Sequence, residues 1–279
     1  KVVLQGETYE GEPRPMQVGD GFWMGRTEVS MGQFRRFVEE SGYVTDAEKP
    51  GGVTQCFDLE WDRYYYGSKV VNPWKPMPDK SWRDPNFGIP MKDNYPVVCV
   101  SYQDMKAFCR WLTERERKAG RLSEELEIRL PTEAEWEYCA RFNISGTALK
   151  YPWGNTFPPT GKAGNFGDKS AKDLLAFYLP SYNDGYAVTA PPQKFEAGAL
   201  GLYDMGGNVA EWTHDYYSIY PYRADKVYID PLGPEDGKHH VVRGAGWKQA
   251  GISELRLSFR DYSSTKRQDL GFRICRYLK

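Results

Sequence analysis

Three oxygen-bearing side chains lie close together in the sequence around the glycine pair Gly206–Gly207: Asp204, Asn208 and Glu211. Hard cations such as calcium bind about six to eight oxygen ligands from carboxylates, amides and backbone carbonyls. Glycine adopts positive φ angles at no steric cost, so the pair lets the chain turn its carbonyls inward. The same stretch is also compatible with a glycine-rich turn before a strand or helix that ends in a core tryptophan. The spacing therefore predicts either a calcium-binding loop or a purely structural turn.

The length and charge of the chain restrict the class of protein to which such a loop can belong. The 279 residues suffice for one large or two ordinary domains with a substantial core. The chain has 37 Lys and Arg against 38 Asp and Glu, and this balance gives no electrostatic basis for nucleic-acid binding. No run of roughly 18 apolar residues occurs, so no membrane span is predicted. The sequence starts at Lys1 without a signal peptide, as a processed or trimmed chain would.

The cysteines and histidines exclude several classes of site. The five cysteines form no CxxC pair, which argues against a thioredoxin-like or zinc-ribbon site. Because their number is odd, at least one thiol stays unpaired within the chain, and one or two disulfides are possible without an assignable pairing. No HExxH, P-loop, GxGxxG or GxSxG motif is present. The cysteines are Cys56, Cys99, Cys109, Cys139 and Cys275.

The three histidines are His214, His239 and His240, too few and too scattered for a histidine-rich catalytic metal site. The adjacent pair follows a Gly-Lys dipeptide and is interpreted as an exposed turn. With the common catalytic motifs missing, the residues alone indicate an ordered α+β domain with a possible calcium site.

Three capping boxes predict the helices that position these loops. Ser30 with Gln33, Ser101 with Asp104, and Thr132 with Glu135 each precede apolar residues at helical spacing. In the third helix Glu133, Glu135 and Glu137 resemble a paired-carboxylate site. We do not assign catalysis to them, because one is a cap and helical geometry is expected to separate the others.

Apolar runs predict short strands at residues 21–24, 27–29, 96–100, 241–244, 255–259 and 270–274. No βα repeat connects them, so an α+β fold with two or three helices and much loop is predicted. Residues 44–95 are rich in Trp, Tyr and Pro, which favours an ordered segment that either packs over the core or offers a stacking surface to a planar ligand.

A series of motifs occurs in fixed order along the chain: RLPTEAEWEY at 129–138, YPWGN at 151–155, the GLY…GN…EW stretch at 201–212, Arg-Gly at 243–244 and GFR at 271–273. Over nearly the whole chain this series resembles the formylglycine-generating-enzyme (sulfatase-modifying factor) family. The resemblance implies a single domain over residues 1–279 with a loop-rich, C-type-lectin-like α+β fold that calcium stabilises.

The resemblance also implies two calcium sites, each built from two side chains and two backbone carbonyls. At the second site an Asp stands where the family has Asn; the added negative charge is expected to keep or tighten the site. The first site would be formed by Asn165, Phe166, Asp184 and Tyr186, and the second by Asp204, Gly207, Val209 and Glu211.

The sequence departs from the family where the chemistry would be expected. Family enzymes carry two copper-binding cysteines, about five residues apart, shortly after the Arg-Gly dipeptide. Here the corresponding stretch runs from Trp247 to Glu254, and no cysteine occurs between positions 140 and 274. A soft-thiolate copper site cannot be built from these side chains. We therefore expect neither copper binding nor formylglycine formation.

Among relatives without the cysteine pair, the sequence resembles members that act in the periplasmic maturation of the siderophore pyoverdine. That resemblance implies oxidation of a dihydropyoverdine precursor to the mature chromophore, in contact with a small-molecule or peptide substrate and possible periplasmic partners. Glu254, near the second cysteine position, is the predicted base. Trp247, Arg256 and Arg260 are predicted to flank the same cleft and to hold or stack on a catecholate.

Two alternatives stay open. Glu254 is also compatible with an ordinary surface glutamate. The chain is also compatible with a non-catalytic lectin-like binding or scaffold protein, because this type of fold often hosts interaction modules. A sulfur-transferring relative, as in ergothioneine synthesis, would need an iron-binding histidine set that three scattered histidines do not favour.

Overall fold

The computed structural model describes residues 2–7, 13–18, 21–58, 74–219 and 227–278. Within these residues the helices are α1 (Met31–Ser41), α2 (Tyr102–Lys118), α3 (Glu133–Arg141) and a short 3-10 helix (Lys169–Ala171). All three predicted capping boxes are confirmed, since each capping hydroxyl accepts a hydrogen bond from the backbone N–H three residues later. Gly42, with φ 67°, ends α1 in the left-handed conformation, as expected for a C-terminal glycine.

The described strands are short and form four small sheets. Their orders are β1–β2–β8, β10–β9–β7–β11, β3–β12–β6 and β4–β5. The strands are β1 (Val2–Glu7), β2 (Pro13–Val18), β3 (Trp23–Met24), β4 (Thr54–Phe57), β5 (Trp74–Met77), β6 (Leu126–Arg129), β7 (Ala210–Tyr216), β8 (Tyr228–Ile229), β9 (His240–Arg243), β10 (Arg260–Ser263), β11 (Leu270–Gly271) and β12 (Cys275–Leu278).

Two of these sheets join distant parts of the chain. Strand β7, which follows the glycine-rich stretch, pairs with β9 antiparallel and with β11 in parallel. Strand β12 is central in its sheet: Cys275 lies opposite both Met24 of β3 and Arg129 of β6. Strand β12, near the end of the chain, therefore joins β3 and β6, which are about a hundred residues apart in sequence.

The main core lies between α1, α2 and the sheets. Phe34 is fully buried and stacks on Phe108 with ring centroids 5.9 Å apart, while Trp82 and Phe272 contact it edge-on. Each buried ring removes a large apolar area from water, which makes this cluster a major source of stability. Trp82 confirms the packing role predicted for part of residues 44–95; Trp61, Tyr64, Tyr65 and Tyr66 lie outside the described residues.

Several predicted strands are wrong. Residues 96–100 are buried, but only Pro96 forms a bridge, to Ser30, and Cys99 has φ 62°, which is incompatible with an extended strand. Residues 255–259 form turns although Leu255 and Leu257 are buried, and residues 27–29 are irregular. Apolar runs indicate that a segment is buried, but they do not show that it is a strand. In these buried segments the irregular backbone forms single hydrogen bonds, such as Val97 N–H to the Val29 carbonyl at 2.9 Å.

The structure also defines the state of the cysteines, which the sequence left open, and the position of His240. All five cysteines are free thiols. His240 is buried and stacks on Tyr102 with ring centroids 3.4 Å apart, so its prediction as part of an exposed turn is wrong. Among the described residues, no helix combines the length and apolar character needed to cross a membrane.

Candidate functional site

Buried Arg243 of β9 joins two carboxylates of α3. Its Nη1 donates to Glu133 and its Nη2 to Glu137, both at 2.7 Å. Residues four apart lie on the same face of a helix, so the prediction that helical geometry separates these carboxylates is wrong for this pair. Glu135 does serve as the cap, and it also pairs with Arg129 at 2.8 Å. The acidic face of α3 is therefore neutralised by arginines and is part of the core.

Arg260 extends this buried network. Its Nη2 donates to Glu133 at 2.9 Å, its Nη1 donates to the Ser218 carbonyl, and its guanidinium lies over the Tyr217 ring. Asp215 accepts the backbone N–H of Glu133 at 2.7 Å. Burial, followed by the neighbouring Glu133 charge, raises the pKa of Asp215. Arg260, predicted to bind substrate, is thus already engaged with protein carboxylate and carbonyl groups.

Glu211 of β7 is held by a second buried arginine. The Nε and Nη2 of Arg273 each donate to a different Glu211 oxygen at 2.7 Å, and Trp136 Nε1 donates to the same carboxylate at 2.8 Å. Both ion-pair partners are almost completely buried. Through this bidentate pair and the Trp136 hydrogen bond, the start of β7 is fixed against α3 and against the segment that follows β11.

The four residues predicted for the first calcium site lie together. Asp184 accepts the backbone N–H groups of Phe166 at 2.9 Å and of Tyr186 at 2.7 Å. Asn165 donates its Nδ2 to the Val188 carbonyl, which leaves its buried Oδ1 without a hydrogen-bond partner. Burial raises the pKa of Asp184 to about 7. A free amide oxygen beside a destabilised carboxylate fits a hard cation.

The second predicted set fits a cation only in part. The buried Asp204 Oδ1 has no hydrogen-bond partner, and burial raises the pKa of this carboxyl group. Glu211, in contrast, has both oxygens bound by Arg273 and Trp136. Within the described ranges, no group of three or more His, Cys, Asp or Glu side chains is arranged to hold a metal ion. Any cation here would rely on Asp204 and on backbone carbonyls.

Asn208 connects the two predicted sites instead of supplying a free ligand. Its Oδ1 accepts from Ala190 N–H at 2.8 Å, and its backbone N–H donates to the Asn165 carbonyl at 2.9 Å. Its Nδ2 donates to Glu28, whose second carboxylate oxygen is buried without a partner. The loop before β7 and the loop at residue 165 are therefore one hydrogen-bonded unit.

Trp247 is a core residue in this structure. It exposes 0% of its surface and contacts Phe57 and Phe87 edge-on, with ring centroids 6.1 and 5.9 Å away. A ring buried on all sides has no face on which a ligand can stack. The stacking role expected for Trp247 therefore does not match its position, and the indole N–H is buried without a partner.

Glu254 lies in the turn that follows Trp247. Its carboxylate accepts the backbone N–H of Gly251 at 3.1 Å, and the side chain is half-buried. Arg256 is also half-buried, and its Nε has no partner within the described part of the chain. Glu254 and Arg256 lie two positions apart in one turn, whereas Trp247 and Arg260 are held in separate clusters.

Two grooves lie away from these residues. One, of about 580 Å³, separates α1 from α2, and the other, of about 370 Å³, lies between α2 and β6. None of the predicted catalytic, substrate-binding or calcium-binding residues lines either groove. The second groove is lined by the basic side chains Lys106, Arg110, Arg117 and Arg129 together with Glu114, Glu127 and His214.

Sequence reasoning missed the arginines that neutralise the buried acids. Arg243 and Arg273 belong to the Arg-Gly and Gly-Phe-Arg motifs, but each partner lies at least 62 positions away along the chain. The only local signal was the four-residue spacing of Glu133 and Glu137, which places both on one helical face. Glu28 was predicted only as part of a short strand, and nothing in the sequence indicated its burial beside Asn208.

Comparison with known proteins agrees with this architecture. The sulfatase-modifying factor enzyme 1-like domain matches residues 2–278. The formylglycine-generating enzyme of Mus musculus is 32% identical over 238 residues, which are 82% of this chain and 57% of the mouse protein. The inactive C-alpha-formylglycine-generating enzyme 2 of the same organism is 34% identical over 231 residues, 78% of this chain and 61% of that protein. The chain thus spans about three fifths of these relatives.

The chain belongs to the formylglycine-generating-enzyme (sulfatase-modifying factor) family. Among solved structures it is similar to PvdO from Pseudomonas aeruginosa, with a TM-score of 0.65 and 21% identity, over 100% of this chain and 92% of that chain. This likeness shows a shared fold. The predicted loop-rich α+β fold is confirmed.

Proposed function

We propose that this chain is a family member that does not form formylglycine and instead takes part in periplasmic maturation of a pyoverdine-type siderophore. The absence of formylglycine formation rests on one observation: the stretch from Trp247 to Glu254 has no thiol where the family has its copper-binding cysteine pair. The polar side chains present, an indole, an amine, an amide, a hydroxyl and one carboxylate, do not suit copper(I), which prefers soft thiolate ligands. The full-length structural likeness to PvdO supports the second half.

The proposed reaction oxidises a dihydropyoverdine precursor to its conjugated chromophore. The ring loses two hydrogens, as two protons and two electrons, and dioxygen accepts them to give hydrogen peroxide. Glu254 takes the ring proton, because its carboxylate is anchored to the Gly251 N–H and remains partly accessible. Arg256, two positions further along the turn, attracts the catecholate oxygens.

Calcium is the proposed resident cation of the two loops at Asn165 and Asp204. When bound it supplies positive charge that stabilises buried carboxylates, and it has no redox role. The unpartnered oxygens of these two residues support this assignment. Asp184 orients the first loop by accepting two backbone N–H groups.

The test compares two substrates. Purified protein is incubated with dihydropyoverdine while chromophore absorbance and hydrogen peroxide are followed, and separately with copper and a cysteine-containing sulfatase peptide, with aldehyde formation as the readout. We expect conversion of the first substrate above its autoxidation rate and no aldehyde from the second. Aldehyde formation would overturn the proposal.

A Glu254→Gln variant tests the assigned base. Glutamine retains an oxygen that can accept the Gly251 N–H, so the turn is preserved while basicity is lost. Loss of a general base lowers rates by about 10²–10⁴. Glu196→Gln, at an exposed position, is the matched control and should keep the wild-type rate.

A non-catalytic binding protein of the same pathway is the second candidate. It is favoured by a specific observation: Trp247 is buried in the core and Arg260 is neutralised by Glu133, so two of the four predicted site residues have structural roles. Conversion no faster than autoxidation, together with saturable binding of the precursor by calorimetry, would favour this candidate over the oxidase.

A further inference from the structure

The groove between α1 and α2 is the larger of the two grooves described above, and the proposed oxidation does not use it. Its volume of about 580 Å³ falls within the range of small-molecule sites, which is about 300–1,000 Å³. Neither Glu254 nor Arg256 lines it, and the residues of the two predicted calcium sites do not line it either. A ligand held here would be separate from the proposed reaction.

The floor of the groove is apolar and comes mainly from one face of α2. Phe108, Trp111 and Leu112 recur at positions three and four apart, so their side chains lie on the same side of the helix. Phe108 is buried, whereas Trp111 and Leu112 are half-buried. Val29 and Ile274 complete the floor. Apolar surface left open in this way favours a ligand with an apolar body.

The rim beside the first turn of α1 is held by two backbone hydrogen bonds. Gly32 N–H donates to the Asp93 carbonyl and Met31 N–H donates to the Tyr95 carbonyl, both at 2.8 Å. A Cβ atom at position 32 would lie 2.9 Å from the Asp93 Cβ, so glycine permits this close approach. Asn94, between the two anchored residues, is therefore fixed at the rim of the groove.

Arg36 gives the groove a positive charge that is free to bind a ligand. Among the described residues its guanidinium reaches only Glu40, at 4.0 Å, and 64% of its side chain is exposed. Glu40 lies closer to Arg115, at 3.1 Å, and Arg115 also pairs with Glu116 at 2.9 Å. A carboxylate at this rim would therefore meet an available guanidinium, with which it can form two parallel hydrogen bonds.

The amides at the rim add hydrogen-bond donors to this charge. Gln33 Oε1 accepts the Ser30 N–H at 2.8 Å, so its two Nε2 hydrogens remain for another acceptor. The Asn94 side chain has no hydrogen bond to any residue that the structure describes. Asp93, the acid among the lining residues, is already paired with Arg35 at 2.8 Å. Donors at one end and an apolar floor match an anion with an apolar tail.

The surroundings of the Trp111 ring distinguish a chain from a planar ligand. Arg115 lies over this ring, 5.6 Å from its centroid, and Phe37 and Phe108 contact it with centroid distances of 5.5 and 5.6 Å. A planar ligand needs an open ring face on which to stack, whereas an alkyl chain packs against any exposed apolar edge. These contacts favour an alkyl chain.

We propose that this groove binds one free medium-chain carboxylate, with its alkyl chain on Trp111 and Leu112 and its carboxylate at Arg36, Gln33 and Asn94. Binding is non-covalent and involves no redox step. The chain leaves water as it covers the floor, and the carboxylate accepts hydrogen bonds from the guanidinium and the amides. Both ends of the ligand are required, so acetate, which lacks a chain, is a poor ligand.

Calorimetry with carboxylates of different length tests the proposal. The full chain is titrated with decanoate below its micelle concentration, and separately with octanoate and acetate. We expect one saturable site for decanoate and an affinity about 15-fold lower for octanoate, because each buried CH₂ contributes about fourfold. Acetate should show no saturable binding. Equal affinities for octanoate and decanoate, or no binding of decanoate, would overturn the proposal.

Two arginine variants locate the carboxylate. Arg36→Gln should weaken decanoate binding about tenfold, because a hydrogen bond to a charged group is lost. Arg110→Gln removes an exposed positive charge of α2 that lines the other groove, and it should keep the wild-type affinity. Equal losses in both variants, or no loss in Arg36→Gln, would contradict the assigned position of the carboxylate and overturn the proposal.

A tryptophan variant locates the chain. Decanoate should change the tryptophan emission of the wild-type protein and leave that of Trp111→Phe almost unchanged, although calorimetry still detects binding to the variant because phenylalanine keeps the floor apolar. A fluorescence change that persists in Trp111→Phe would place the ligand elsewhere and overturn the proposal.

Vesicles distinguish a free ligand from a membrane surface. The protein is sedimented with vesicles of phosphatidylcholine and phosphatidylglycerol, and we expect it to stay in the supernatant. Sedimentation that Arg36→Gln abolishes, without binding of decanoate, would assign the groove to a lipid surface and overturn the proposal. None of these readouts requires activity, so their results are independent of the proposed function.

Discussion

Arg273 and Glu211 form a bidentate ion pair, with both N–O distances at 2.7 Å, in which neither side chain has appreciable contact with solvent. The remaining guanidinium nitrogen donates to the Gly25 carbonyl, and Nη2 also donates to the Tyr203 carbonyl. One arginine thus ties the glycine-rich stretch, β7 and the segment after β3 together.

Removing this arginine should be among the most damaging single changes. Arg273→Met leaves Glu211 charged and buried, and breaking a buried pair by removing one partner costs about 3–5 kcal/mol. Urea unfolding followed by fluorescence measures the loss. The matched control is Arg35→Met, whose pair with Asp93 is exposed and is expected to contribute about 0–1 kcal/mol. Equal losses for both variants would contradict the structural role given to Arg273.

Calcium removal should lower thermal stability. A ligand present at about 100 times its dissociation constant stabilises the native state by about 2.7 kcal/mol. We expect EDTA to lower the Tm of calcium-loaded wild-type protein and to have a much smaller effect on Asp184→Asn. Asp236→Asn, an exposed position, is the control and should keep the full response. An identical EDTA response in Asp184→Asn would remove Asp184 from the ligand set.

Gly207 should not tolerate a side chain. A Cβ atom there would lie 3.0 Å from the Asn165 carbonyl oxygen and 3.1 Å from the Phe166 ring, where the two predicted calcium loops touch. We expect Gly207→Ala to cost about 1–3 kcal/mol, as overpacking does, and to weaken calcium binding measured by calorimetry. Gly198→Ala is the control, because its nearest neighbour would be the Leu202 carbonyl at 3.7 Å. Unchanged calcium affinity in Gly207→Ala would show that the contact between the two loops does not affect calcium binding.

His240 should make stability depend on pH. Burial lowers its pKa to about 4, against an ordinary value of 6.5, so between these values the unfolded chain binds more protons than the native state. Stability is therefore fully present above pH 6.5 and is lost as the pH falls towards 4, by up to about 3 kcal/mol. His240→Phe keeps a ring beside Tyr102 and should flatten this part of the urea-midpoint profile.

His239→Phe is the matched control for that profile. It changes the adjacent histidine, whose side chain is less buried, and it should leave the slope between pH 4 and 6.5 as in the wild type. If both variants lose the slope equally, His240 is not its source.

Sequence patterns predict the structure correctly where it depends on residues close together along the chain. The capping boxes at Ser30, Ser101 and Thr132 involve residues three apart, so nothing distant can override them easily. The family motifs likewise placed Phe166 and Asp184 in one predicted site, and the Phe166 N–H donates to Asp184 at 2.9 Å. The fold class followed from both.

Contacts between residues far apart along the chain explain which parts of the structure the sequence does not predict. Glu133 and Arg243 are 110 positions apart, and no local pattern tells a capped, solvated acidic helix from one whose acids are buried on an arginine. The run at residues 96–100 is as apolar as a strand, yet Cys99 takes a left-handed conformation that the side chain type does not announce. Trp247 was expected at a ligand because of its place in the motif order, whereas packing decides its accessibility.

The position of β12 has a consequence for how this chain is made. Met24 pairs with Cys275, which a ribosome adds some 250 residues later. Until then β3 and β6 have no common partner, and their unpaired edges are open to other chains. Contacts of such long sequence separation slow folding. We therefore expect a truncation before residue 275 to yield an aggregation-prone product.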